Sequence, residues 1–224
     1  MGELKPNGQR AKNAITLMWI MLILEIVSLI SGYFQYNLLQ IAKNGGEVTT
    51  EMINTNDVRE QVIAILYLIW FIVSAVTFIQ WFRRAYYNLH LKVNNLSYSE
   101  GWVAGSWFVP IISFFRPYQI MKELYEETQN LLKKNQLGFH HNLTTRAVGW
   151  WWGLWITSLF LGQIASQMSI KETVDVLINS TIVSLIRNIL GIASALLVIK
   201  VIKDYSNVEP LLHEIKNEEE ITNV

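Results

Sequence analysis

Hydrophobic positions gather along the chain into four long runs separated by polar stretches. Residues 15–34 are twenty with one charge, Glu25; residues 62–82 are twenty-one with none; residues 149–168 are twenty with none; residues 181–199 are nineteen with one, Arg187. About 20 apolar residues in a helix cross a hydrocarbon core of about 30 Å, so each run predicts a transmembrane helix. Four such runs in 224 residues are more than a soluble core of this size uses. The first follows a basic lead-in (Lys5, Arg10, Lys12). It is longer than the ~7–15 apolar residues of a signal peptide, and no small-residue cleavage site follows, so it reads as a signal anchor.

A fifth apolar stretch, residues 101–115, is shorter, is interrupted by Pro110, and is followed at once by Arg116-Pro117. Proline removes a backbone donor and kinks a helix. Stretches of this length are more often re-entrant or interfacial than spanning. The basic residues point the same way. If the stretch does not cross, fourteen of the eighteen Lys and Arg share one side with both termini. Only Lys43, Arg59 and Lys171 face the other side, and Arg187 lies within the bilayer. The positive-inside rule then puts both termini and the His140-His141 loop in the cytoplasm and Lys43 and Lys171 outside. Residues 101–115 dip in from the cytoplasmic face. The outer loops, 37–61 and 169–180, carry acidic residues.

The predicted fold is all-α, an integral membrane bundle of four spans with this re-entrant or interfacial segment. An amphipathic helix follows over 117–134, with Pro117 at its first position and Ile120, Met121, Leu124 and Tyr125 on one face. It would lie on the membrane surface or cap the bundle. Residues 1–14 form a cytoplasmic N-terminus, 15–203 one membrane domain, and 204–224 a polar, frayed tail.

Composition sharpens this picture. Charged residues are 16% and hydrophobic ones 51%, with eighteen basic against eighteen acidic; such neutrality does not suit a nucleic-acid binder. Without cysteine, disulfides, thiol catalysis and Cys-ligated metals are excluded. Tryptophan at position 81 and at 150, 151, 152 and 155 suggests an interfacial aromatic belt.

The candidate chemistry is sparse. Intramembrane charges are costly and seek partners. At 1.5 Å per residue, Glu25 and Arg187 sit at depths about 6 Å apart, which predicts an ion pair between the first and last spans. A proton or substrate site is the sharper alternative. The four histidines form no metal-binding spacing, Ser106 has no visible base, and no phosphate loop or nucleophile elbow is present; neither a metal nor a cofactor is expected. The re-entrant segment is the richest region. Gly105 is the expected close helix contact, with Val103 tolerant of change. Arg83, Arg84 and Arg116, with Trp102, Trp107, Pro110, Tyr118 and Gln119, form a candidate surface for an anionic lipid headgroup; simple anchoring by snorkelling arginines is the plainer reading.

Arg84-x-x-x-Asn88, then Tyr98-Ser99-x-Gly101-Trp102-x-x-Gly105-x-Trp107-Phe108-x-Pro110, Arg116-Pro117-Tyr118-Gln119 and Glu123-Leu124-Tyr125 resemble a bacterial membrane family catalogued as domain of unknown function 4328. The resemblance spans about residues 62–202. Tyr125 stands where tryptophan is expected and Ser113 where asparagine is frequent. The resemblance implies a multi-pass protein of the bacterial cytoplasmic membrane and no reaction. The functional expectation is a non-enzymatic module that binds membrane lipid, a membrane protein or a second copy of itself. The alternative is a small channel or transporter using Glu25 and Arg187.

Overall fold

The computed structural model describes residues 3–137, 143–170 and 173–215. The His140-His141 loop, Lys171 and the end of the tail lie outside these residues. The described residues form helices and turns only: α1 (Gly8–Lys43), α2 (Thr50–His90), α3 (Glu100–Gly105), α4 (Arg116–Lys134), α5 (Arg146–Ser169) and α6 (Val174–Val208). Two short 3₁₀ turns lie at Ile112–Phe114 and Glu209–His213.

The long helices outrun the apolar segments that predicted them. Residues 37–61, read from sequence as a loop, are helical up to Lys43 and again from Thr50. Among the described helices three are apolar enough to cross a membrane: α1, α2 and α6 with its terminal turn. The predicted run at 149–168 is helical too, as α5, but it is not one of the three. Its tryptophans and its glutamines at 163 and 167 dilute the hydropathy that its leucines and isoleucines supply.

The chain forms two compact units. The first joins residues 1–16, 74–150 and 197–224. Its core is dense: Trp81, Phe82, Tyr86, Tyr125, Tyr205 and Leu212 are all at most 1% exposed. Trp81 therefore packs in this core and is not a belt residue. Its ring meets Phe78 tilted at 5.6 Å and Tyr205 edge-on at 6.1 Å, the latter a geometry in which one ring's positive edge faces the other's negative face. The amphipathic helix α4 buries Ile120, Met121, Leu124, Tyr125 and Leu132 here, so its apolar face is spent on protein contacts and not on the lipid surface. The Tyr125 hydroxyl donates to the Val201 carbonyl of α6, and burial pushes that hydroxyl well above its ordinary pKa, which keeps it a donor. The tail is also a correction. Tyr205, Val208, Leu212 and Ile215 are buried, so the polar tail read from 204 is part of the core as far as Ile215.

The second unit joins residues 17–73 and 151–196. It is thinly cored and outwardly apolar: Ile30, Leu68, Ile72, Phe160 and Ile189 are each more than half exposed. That pattern inverts a soluble protein and suits lipid surroundings. Its helices meet at small residues. A Cβ on Gly32 of α1 would touch Leu185 of α6 at 3.0 Å. Between α5 and α6, the Ser180 hydroxyl bonds the Ala165 carbonyl at 2.9 Å and Ser169 at 2.7 Å. Such small and hydroxyl contacts are how helices associate where lipid removes the hydrophobic drive. Trp151 and Trp152 are nearly buried in this unit. Trp150, at the edge of the first, is 65% exposed and alone of these three fits the belt reading.

Candidate functional site

The motif-rich segment belongs to the first unit. Ser99 precedes α3, whose Glu100 pairs with Arg83 of α2 at 2.8 Å. Val103 is fully buried. Two residues past the end of α3, the Trp107 ring meets Phe78 edge-on at 5.9 Å. Phe78 lies five residues before Arg83 on α2, roughly 7.5 Å along the axis. The segment thus runs back along α2, from its arginines toward its apolar stretch.

There the chain turns sharply. The Ile112 N–H donates to the Pro110 carbonyl at 2.7 Å, across a single residue. That residue, Ile111, has φ 66° and ψ −51°, the strained γ-turn. A β-branched side chain at positive φ is an outlier costing of order 1–3 kcal/mol. The tip around it is bare and apolar: Phe108 is 78% exposed and Ile111 74%, with Phe114 and Phe115 also open. A 3₁₀ turn then leads into α4 through Arg116-Pro117.

The predicted site residues fall into separate roles. Arg116 lies over the Tyr98 ring at 4.9 Å and the Phe115 ring at 5.6 Å. Gln119 accepts from the Tyr98 hydroxyl at 3.3 Å, and Tyr118 points toward Gly149 of α5. Trp102 is 42% exposed. Gly105 overturns its expectation: it is exposed, and a Cβ there would meet nothing within 4 Å. Val103, expected to tolerate change, is the buried residue of that turn, because α3 presents 103 to the core and 105 to the outside.

Two further features were not legible as a site. Asn88, from the Arg84-x-x-x-Asn88 pattern, donates to the Glu209 carboxylate at 2.8 Å and to the Lys5 carbonyl at 2.9 Å, and accepts from the Lys5 N–H at 2.9 Å. Asn7 donates to both Glu209 oxygens at 3.1 and 3.0 Å. One buried carboxylate therefore fastens the N-terminus, the end of α2 and the end of α6 together. Only three-dimensional proximity joins residues so far apart in the chain. The second feature is Arg10. It donates to the Gln80 carbonyl at 3.0 Å and lies within the field of Arg84 and Arg83. Glu123 of α4 accepts from the Tyr86 hydroxyl and from the Ser97 N–H at 2.7 Å, which ties α4 to α2.

The second unit holds Glu25 and Arg187, charges within two of the span-length apolar helices. The Glu25 carboxylate accepts from the Tyr67 hydroxyl of α2 at 2.6 Å. It rests on Gly191 of α6, where a Cβ would come within 2.5 Å of its carboxyl carbon. Arg187 lies one helical turn from Gly191, so the depths read from sequence agree to about a turn. The expected ion pair is absent, however: no Glu25–Arg187 contact falls within 4.0 Å among the ion pairs of the described residues. Arg187 instead places its guanidinium 5.6 Å from the centre of the Tyr67 ring and donates to Asn188 at 2.8 Å. Its stem passes Gly162 of α5, where an added Cβ would lie 3.4 Å from it. A tyrosine stands between the two charges, and only their longer-range attraction remains. Farther along, Arg59 binds Ser31 at 2.7 Å and Asn56 at 2.6 Å. No group of histidines and acids able to hold a metal occurs among the described residues.

These features define an all-helical protein with three helices apolar enough to cross a bilayer. Its family follows from comparison: the model of the family described as "Domain of unknown function (DUF4328)" matches residues 44–207, well over half of the chain, and the protein belongs to that family. No curated protein and no solved structure matches it.

Proposed function

We propose that the protein is a non-enzymatic multi-pass module of the bacterial cytoplasmic membrane whose working surface is the apolar tip at residues 108–115. In this reading α5 is a fourth span beside α1, α2 and α6, both termini are cytoplasmic, and the tip enters the inner leaflet from that side. The observation that carries it is the exposure of Phe108 and Ile111 on a strained turn of an otherwise well-packed unit. Exposed apolar clusters of this kind mark membrane or partner contacts. The segment's course along α2 from Arg83 toward Phe78 aims that tip at the hydrocarbon. A broken backbone at that depth is tolerated where protein satisfies it, and the amides of residues 112–115 are bonded within the turn.

Single cysteines in this cysteine-free chain test the arrangement with an impermeant thiol reagent. Positions 43 and 175 are expected to label on intact cells, and positions 95 and 122 only after lysis. Position 108 is expected to resist until detergent is added. Labelling of position 95 or 122 from outside overturns the topology.

A second reading, a small channel or transporter, draws on one observation: Glu25 Oε2 is buried without a hydrogen-bond partner. Ion or proton flux in liposomes that is abolished by Glu25→Gln supports it; equal flux in both sinks it.

A further inference from the structure

We infer that Arg10 and Arg84 form a binding site for one phosphate group of an anionic phospholipid. The inference rests on the membrane reading above and gives the working surface its ligand.

Arg10 of α1 reaches α2, where it donates to the Gln80 carbonyl at 3.0 Å; Arg84 lies one helical turn beyond Gln80, which brings the two guanidinium groups to the same place on α2, and the charges of Arg84 and Arg83 bear on Arg10 there. Arg83 is neutralised by Glu100 at 2.8 Å. Glu209 acts on Arg84 only through its field, because its oxygens are taken by the side-chain amides of Asn7 and Asn88. Arg10 spends one N–H on the Gln80 carbonyl and has donors to spare, since a guanidinium carries five. Two half-buried like charges on neighbouring helices, with no carboxylate among the described residues in contact with either, are a place for an anion.

The level of the pair selects a lipid. Arg84 lies two residues past the apolar run that ends at Phe82, and Arg10 five residues before the run that starts at Ile15. At 1.5 Å per residue these are roughly 3 and 7.5 Å outside the hydrocarbon, the depth of headgroup phosphates. The exposed tip at Phe108 supplies apolar surface for acyl chains on the same unit. A guanidinium pair fits a phosphodiester by paired N–H···O bonds.

The test uses full-length protein in nanodiscs of zwitterionic lipid containing a minority of phosphatidylglycerol, with retained lipid measured by native mass spectrometry. Wild type is expected to enrich the anionic lipid. Near a membrane surface each basic residue contributes about 1 kcal/mol, so Arg10→Gln with Arg84→Gln is expected to reduce the enrichment about thirty-fold. Lys122→Gln, which removes an exposed charge on α4, serves as the control and is expected to leave it unchanged. A variant with the wild-type thermal transition but equal enrichment overturns the inference. So does displacement of the lipid by millimolar inorganic phosphate, which would mark a site for a soluble anion. If position 108 proves aqueous in the labelling experiment above, the membrane reading itself has failed. If position 108 is protected and no anionic preference appears, only the phosphate site has.

Discussion

Replacing Asn88 by alanine removes three hydrogen bonds at once and leaves Glu209 buried with fewer donors. The bond to the carboxylate, at 2.8 Å, belongs to the charged class worth roughly 1.5–3 kcal/mol, and each of the two with the Lys5 backbone is worth roughly 0.5–1.5 kcal/mol. Asn7 still serves both Glu209 oxygens, and water entering the alanine cavity recovers part of the loss. The net cost is therefore expected near the low end of the sum, about 3 kcal/mol. For a chain of this size that corresponds to a fall of roughly 6–12 °C in the thermal midpoint, followed by tryptophan fluorescence in mild detergent. Because the same residue accepts from the Lys5 N–H, that amide hydrogen is expected to exchange with solvent much faster in the variant. A loss under about 1 kcal/mol with unchanged exchange at Lys5 would refute the idea that this node fastens the first unit.

Other outcomes follow from the same geometry. Gly191→Ala places a methyl within 2.5 Å of the Glu25 carboxyl carbon and is expected to cost about 1–3 kcal/mol by overpacking, with Glu25→Ala restoring part of it; an unchanged midpoint counts against the contact. Val103→Ala is expected to cost about 1 kcal/mol or more from a fully buried site, whereas Gly105→Ala, facing open space, is expected to shift the midpoint little; the reverse order would mean that α3 is rotated. Ile111→Gly relieves the positive-φ turn and is expected to raise stability in detergent by about 1 kcal/mol while weakening the tip's hold on lipid; lower stability would show that the turn is not strained.

Much of this fold is written in hydrophobic run length, and some of it is not. The helices at α1, α2, α5 and α6 follow from runs of about twenty apolar residues, and α4 from its periodicity and Pro117. Their true lengths did not follow, because polar residues such as those at 50–61 carry no apolar signal, yet they extend α2 outward. The tryptophans misled for a related reason. An indole is suited both to an interface and to a core, and Trp81 goes to the core because Phe78 and Tyr205 surround it. Depth along a helix is countable from the sequence, so Glu25 and Arg187 were correctly brought within a turn of each other. Rotation about the helix axis is not countable to that precision, and Tyr67 takes the place of the expected ion pair. The site was half legible. Pro110 and the apolar run announced a broken segment, whereas the Asn7–Asn88–Glu209 node and the proximity of Arg10 to Arg84 depend on tertiary packing alone.

The account stands most directly on the depth of the tip. Nitroxide labels on single cysteines at positions 108 and 111, in protein reconstituted into vesicles, report collision with oxygen, which concentrates in hydrocarbon, and with a nickel chelate, which stays in water. The account predicts that both positions favour oxygen while a label at position 122 favours nickel. Nickel accessibility at 108 and 111 equal to that at 122 would place the tip in water and contradict it.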